Sequence, residues 1–245
     1  MLYRCTKIFG LCKLIFGVPI HLPPIEVGVF SARNDKSLDS QQDCPSFFNR
    51  KEHIMDLHKL YEGCRTYRRF KQEPVADKIL KEIAETARTR SCAMNGQVLK
   101  FMVVSSPEAV KSIQPCLTWA AKLPKEIGTP KEGEQPTAFI ILLEPEKAHA
   151  FADIDLGIAI DTMAITAWSH GVGSCMLGAI NKAKLAKAVS IPDGYIVRMV
   201  LAFGYPDHKS TIVDLPQDGS LSYYVDEQRD YYVPKKSSVD VITYI

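Results

Sequence analysis

Residues 153–179 read DIDLGIAIDTMAITAWSHGVGSCMLGA. Ile154, Leu156, Ile158, Ile160, Met163, Ile165 and Trp168 make the first two-thirds apolar on nearly every face. Ala159, Ala164 and Ala167 between them are slim enough for close helix packing. A helix that is apolar all round is buried all round, so the stretch predicts a central helix covered on every side. It is too short, and interrupted by Asp161, to cross a membrane. Gly171 follows His170 where a left-handed C′ residue ends a helix. Residues 171–179, GVGSCMLGA, are punctuated by glycine, and a flat ligand can approach such a backbone closely. The stretch therefore predicts a scaffold helix that delivers an exposed, side-chain-poor turn. Taken alone, a core helix turning tightly into a strand is the plainer reading.

Working outward, 138–143 (AFIILL) is continuously apolar and predicts a central strand. Residues 196–203 (IVRMVLAF) predict another, closed by Gly204-Tyr205-Pro206. Asn181 is placed to N-cap a helix beginning KAKLAKA. Further upstream, Val75, Ile79, Ile83 and Ala87, widened by Leu80 and Ala84, form one stripe of an amphipathic helix over 75–88. Residues 56–61 predict a short helix ended by Gly63, and 101–104 a strand. Pro107-Glu108 suits the first turn of another helix. Residues 114–136 hold four prolines and two glycines around Trp119. They predict a loop or lid, with Trp119 shaping access to a site.

Residues 1–54 are patterned differently. A basic start and an apolar run broken by Lys13 lead into a polar, aperiodic segment without a clean signal-peptide cleavage site. The expected organisation is an extension over 1–54, disordered or non-native, then one folded domain over 55–245 with Met55 as its functional start. The net charge of +2 leaves no global basic excess to drive nucleic-acid binding. Seven widely spaced cysteines without a CxxC pair point to a reducing, cytoplasmic setting, with no disulfide framework and no zinc site. The six histidines lack metal-ligand spacing.

Four segments carry unusual chemistry. Arg65-Thr66-Tyr67-Arg68-Arg69-Phe70 offers guanidinium forks and a hydroxyl suited to phosphate, though a solvated basic surface would read the same. Ser91-Cys92-Ala93-Met94-Asn95-Gly96-Gln97 offers amides suited to a heteroaromatic edge, and is otherwise a plain polar loop. The Gly173–Ala179 stretch is the third, and Lys235-Lys236 after Pro234 is the fourth. Asp153 and Asp155, near a helix start, read as dipole partners and not as an acid/base pair. Cys175 reads as a buried inert thiol. No GxGxxG, P-loop or GxSxG motif is present.

In this order the four segments resemble the FMN-dependent nitroreductase superfamily. Its opening Arg-Ser-x-Arg-x-Phe is matched by residues 65–70, and its Pro-Ser-Ala-x-Asn-x-Gln-Pro-Trp loop by residues 91–99. Its central helix ends in Gly-Leu-Gly-x-x-x-x-Gly, matched by 171–178. Leu-Gly-Tyr-Pro is matched by 203–206, and a late Pro-Lys-Arg by 234–236. The resemblance covers 55–245. Ser91-Cys92 stands where the family has Pro-Ser, Val98-Leu99 where it has Pro-Trp, and Lys236 replaces an arginine.

The resemblance implies an α+β, three-layer α/β/α fold with a mixed, mainly antiparallel sheet and FMN at a homodimer interface. It implies that Arg65, Thr66 and Arg68 hold the FMN phosphate and ribityl chain, with Lys235 and Lys236 closing from the tail. Asn95 and Gln97 would hydrogen-bond the flavin or its ribityl chain, with Cys92 on the same loop. Met176, Leu177 and Gly178 would present backbone to the ring. It further implies a C-terminal arm (VDVITYI) that adds a strand to the partner's sheet.

The implied activity is hydride transfer from NADH or NADPH to the flavin, then reduction of a nitroaromatic, quinone or similar small acceptor by ping-pong alternation. The cofactor carries that chemistry, so no catalytic side chain is assigned. A flavin store or redox sensor without turnover is the alternative from another class. A dehalogenase or flavin-fragmenting enzyme is the alternative within the superfamily. Neither nucleic acid nor membrane is an expected partner.

Overall fold

The structure is a computed structural model that describes residues 56–245; the proposed start at Met55 and the extension before it lie outside the described residues. Helix α1 (Leu57–Gly63) is capped by Asp56, whose carboxylate accepts from His58 and Lys59 N–H. Helix α2 (Asp77–Arg88) buries Ile79, Leu80, Ile83 and Ala87, the stripe its spacing predicts. Then come β1 (Lys100–Val104), α3 (Pro107–Ile113) with proline in its first turn, the short α4 (Lys125–Gly128) and β2 (Ala138–Pro145). Helix α5 (Ala152–Ser169), β3 (Gly173–Leu177), α6 (Lys182–Ala188) and β4 (Tyr195–Gly204) complete the main layers. Asn181 caps α6 by accepting from Lys184 N–H at 2.9 Å.

The main sheet has the order β1-β2-β4-β3 with every pair antiparallel. Strand β2 is central and buried on both faces, which is why its sequence is apolar without alternation. Phe139, Ile141 and Leu143 face one core with α3 and α6, while Ala138, Ile140 and Leu142 face another with α2 and α5. The result is a three-layer α/β/α arrangement. A second, smaller sheet follows: β5 (Ser210–Asp214) pairs parallel with β7 (Tyr231–Lys235), and β7 pairs antiparallel with β6 (Tyr224–Val225). Strand pairing is thus mixed and mainly antiparallel.

Two expectations are corrected. Helix α5 buries Leu156, Ala159, Met163 and Ala167, but Ile154 is 59% exposed and Gly157 and Asp161 are open. The described residues supply core for only part of its circumference. Residues 173–177 form strand β3, as the plainer reading of the stretch has it; what is corrected is the exposed turn, since the strand is buried except at Met176. The preceding helix end is as predicted. Gly171 has φ +71, its N–H donates to Trp168 O, and Val172 N–H donates to Ala167 O, which closes a Schellman motif.

Candidate functional site

Residues 65–70 leave α1 and run along the free edge of β3. Thr66 bridges Ser174 in parallel, Tyr67 N–H donates to Ser174 O at 2.8 Å, and Phe70 bridges Pro206. Two glycines make this possible. A Cβ on Gly173 would lie 2.8 Å from the Tyr67 ring, and one on Gly204 would lie 2.9 Å from Phe70. Tyr67 also stacks on Trp168, with centroids 5.2 Å apart. The apolar side chains of the segment thereby fill the core, and its polar ones are left facing a cleft.

Arg65, Thr66 and Arg68 share a cavity of about 420 Å³ with Ser210, Tyr223, Val233 and Lys235. The Arg68 guanidinium lies over two adjacent phenol rings, its Cζ 4.7 Å from the centre of Tyr223 and 4.8 Å from that of Tyr231. Each such contact is worth roughly 0.5–2 kcal/mol and keeps the fork in one plane. Arg68 N–H donates to His208 Nε2 at 2.9 Å, so the His208 proton sits on Nδ1 and is donated to Lys209 O at 2.8 Å. Arg68 Nε and Ser210 Oγ are buried without a partner. Two orphaned donors beside three cationic side chains are the polar complement of an oxyanion such as a phosphate.

A second cavity, of about 750 Å³, shares Arg65 and Thr66 with the first and passes over β3 to α5. Its floor includes Met176, 57% exposed, and its wall on α5 is Gly157, Ile160, Asp161 and Ala164. That surface is slim and apolar enough for a flat ring. Leu177 turns its side chain into the core and leaves only backbone toward this side, and Gly178 is open. Lys235 lines the anion cavity; Lys236 is exposed and does not line it.

Cys92, Asn95 and Gln97 are elsewhere. Their loop borders a third cavity, whose lining on α5 is Asp155, Ile158 and Ala159. At about 100° per residue these three lie on the side of α5 opposite Gly157, Ile160, Asp161 and Ala164. One chain therefore gathers Arg65, Thr66, Arg68, Lys235 and Met176, and holds the amide loop on the far face of the same helix. Trp119 corrects the lid expectation. It is 3% exposed and belongs to the core on the α3/α6 side of the sheet, away from the α5 side where the second cavity opens.

A family model, the nitroreductase family, matches residues 62–205, more than half of the chain. The chain belongs to the nitroreductase family. A protein of Archaeoglobus fulgidus provisionally named an NADH dehydrogenase/NAD(P)H nitroreductase is 24% identical over 149 residues, 58% of this chain and 80% of that one. An FMN-dependent nitroreductase from Clostridium difficile R20291 superposes with a TM-score of 0.52 at 18% identity, covering 62% of this chain and 88% of its own. The FMN- and NADPH-dependent nitroreductase NfnB of Sphingopyxis sp. strain HMH gives 0.56 at 14% identity, covering 77% and 98%. The fold is that of the nitroreductases.

Four contributors to this candidate site lay outside the motifs: Ser210, Tyr223, Tyr231 and His208. The repeated Tyr-Tyr-Val at 223–225 and 231–233 is the signal that could have found two of them, because it marks the β6–β7 hairpin. Burial pushes the Cys64 and Cys175 thiols up to about 11, so neither is an activated nucleophile. Among the described residues, no helix is long and apolar enough to cross a membrane.

His208 makes stability depend on pH. Burial pushes it down to about 4. The folded state thus prefers the neutral ring, whereas the unfolded chain takes up a proton near pH 6.5. Stability from this group is complete above pH 6.5 and is lost as pH falls toward 4, by about 3 kcal/mol. Glu134 and Asp226, both held below their usual range, act at lower pH. Urea midpoints are expected to fall between pH 6.5 and 4.5 in the native protein and to stay level there in His208→Gln. Parallel curves would refute the assignment.

Proposed function

We propose that the protein is an FMN-dependent oxidoreductase that uses NADH or NADPH to reduce a nitroaromatic, quinone or similar small acceptor by a ping-pong mechanism. The observation that carries this reading is the single cavity in which Arg65, Thr66, Arg68 and Lys235 meet two orphaned buried donors, Arg68 Nε and Ser210 Oγ. These residues would grip the phosphate, with Lys236 at the rim. The ribityl chain would follow Arg65 and Thr66 into the adjoining cavity, and the ring would lie against the backbone of Met176, Leu177 and Gly178. When bound, FMN supplies the chemistry, taking a hydride from the nicotinamide and passing electrons to the acceptor. The chain's own part is to fix phosphate and ring, to cover one ring face with apolar surface and to leave the other for alternating substrates.

The working unit is a homodimer. The apolar arc of α5 that stays open, with Ile154 and Ile158, lies between the ring cavity and the side that carries Cys92, Asn95 and Gln97. A second copy seated there would bring its own amide loop to the first copy's flavin. Obligate interfaces resemble a bisected core, which accounts for a helix apolar on faces the described residues do not cover. The folded unit begins at Met55, residues 1–54 being dispensable, and acts in the cytoplasm.

The test is the visible absorption spectrum of the purified protein, recorded again anaerobically with NADH and with NADPH. A flavin band that either nucleotide bleaches, both in the full chain and in a chain beginning at Met55, is the expected result. A band that persists would favour flavin storage or sensing. Consumption of the protein's own reduced flavin in air would favour the flavin-fragmenting alternative, and halide release from a halogenated aromatic the dehalogenase. No flavin, even after reconstitution with FMN, would sink the proposal.

A further inference from the structure

The amide loop is held in a conformation its own residues disfavour. Met94, Asn95 and Gln97 have φ of +54, +51 and +46, and none is glycine. Left-handed backbone is strained for a residue with a Cβ, somewhat less so for Asn. Such a run persists only where its surroundings enforce it. Most hydrogen bonds of the loop are internal: Asn95 N–H to Cys92 O, Gly96 N–H to Ala93 O, and Gln97 N–H to Cys92 Sγ at 3.4 Å. The one that leaves it runs from Ala93 N–H to Asp155 Oδ1, at 2.8 Å.

Asp155 is on α5 and only 4% exposed. A carboxylate that merely answers the helix dipole has no need of burial, and burying one is costly unless it is engaged. Its second oxygen lies 3.4 Å from His149 Nε2. His149 Nδ1 accepts from Phe151 N–H at 3.2 Å, so Nε2 carries the proton, but neither Nε2 nor Asp155 Oδ2 has a hydrogen-bond partner. The same Nε2 abuts Gly96, where an added Cβ would come within 3.2 Å of it. Asp155 thus holds the loop directly at Ala93, with His149 close beside both.

We propose that Asp155 is a positioning residue, whose carboxylate enforces the left-handed backbone of Met94, Asn95 and Gln97 and so presents Asn95 and Gln97 to the flavin. This rests on the reading of the loop as flavin-binding. Because the loop serves ring and ribityl chain and not the phosphate, its loss weakens FMN and riboflavin alike. Loss of the arginines weakens FMN alone.

The test is titration of the full chain with FMN and with riboflavin, alongside its melting temperature, for the native protein, Asp155→Asn, Asn95→Ala and the double variant. Asp155→Asn is expected to weaken both flavins about tenfold, the size of a hydrogen bond to a charged group. Asn95→Ala is expected to weaken both in the native background and to add nothing in the Asp155→Asn background. A purely structural role would lower the melting temperature and leave both affinities within twofold at temperatures well below it, which overturns the proposal. So would additive effects. Asn95→Ala without effect in the native background refutes the loop assignment and this proposal with it; no flavin bound by the native protein refutes the cofactor reading itself. Should Asp155→Asn fail to fold, Ala93→Pro deletes the same bond from the loop side. Cys92 already has the extended backbone (φ −138, ψ 159) that a residue before proline adopts, and the same tenfold loss is expected.

Discussion

Replacing Arg65 and Arg68 together by alanine is expected to yield a folded, colourless protein that binds FMN about two to four orders of magnitude more weakly. The magnitude follows from two hydrogen-bonding cations, each worth about 1.5–3 kcal/mol against a charged acceptor. The fold is expected to survive because neither side chain is part of either core. Riboflavin affinity is the internal control: it lacks the phosphate and should change little. Some destabilisation is expected from Arg68, whose removal leaves Tyr223 and Tyr231 without the group that lies over them. Flavin titration of the double variant decides the matter. Full retention of FMN would remove the phosphate assignment.

Phe70→Ala is expected to cost about 3–5 kcal/mol of folding free energy, a large share of the 5–15 kcal/mol typical of a domain. Phe70 is wholly buried and lies in the space left by Gly204, with its N–H donating to Glu134 O at 2.9 Å. Its loss leaves a cavity that the surrounding sheet cannot collapse to fill. The effect reaches the site, because Phe70 and Tyr67 are the two anchors that hold residues 65–70 against β3. FMN affinity should therefore fall along with stability, although Phe70 itself lines neither cavity of the cleft. Urea denaturation measures the first effect and flavin titration the second. A loss under about 1 kcal/mol would mean that the segment is held by other contacts.

Much of this was legible in the chain as written. An unbroken apolar run can only be a strand buried on both faces or a core helix, so β2 and α5 declare themselves in 138–143 and 153–169. Local rules place Gly171 at a helix end and Asn181 at a helix start, and local bonds satisfy both. The chemistry of residues 65–70 is equally local, since guanidinium and hydroxyl groups suit phosphate whatever their surroundings.

Tertiary structure decided the rest, because long-range pairing has no local signature. Only the sheet shows that Gly173 makes room for Tyr67, and that Trp119 sits across the sheet from the cleft. Ser210, Tyr223 and Lys235 reach Arg68 through the parallel pairing of β5 with β7 and the β6–β7 hairpin, contacts that join residues far apart in sequence. The largest change concerns α5. Its composition called for burial on every side, yet burial depends on what else is present, and the described residues cover only part of the helix. Composition stated the requirement, and the packed chain showed how much of it was still open.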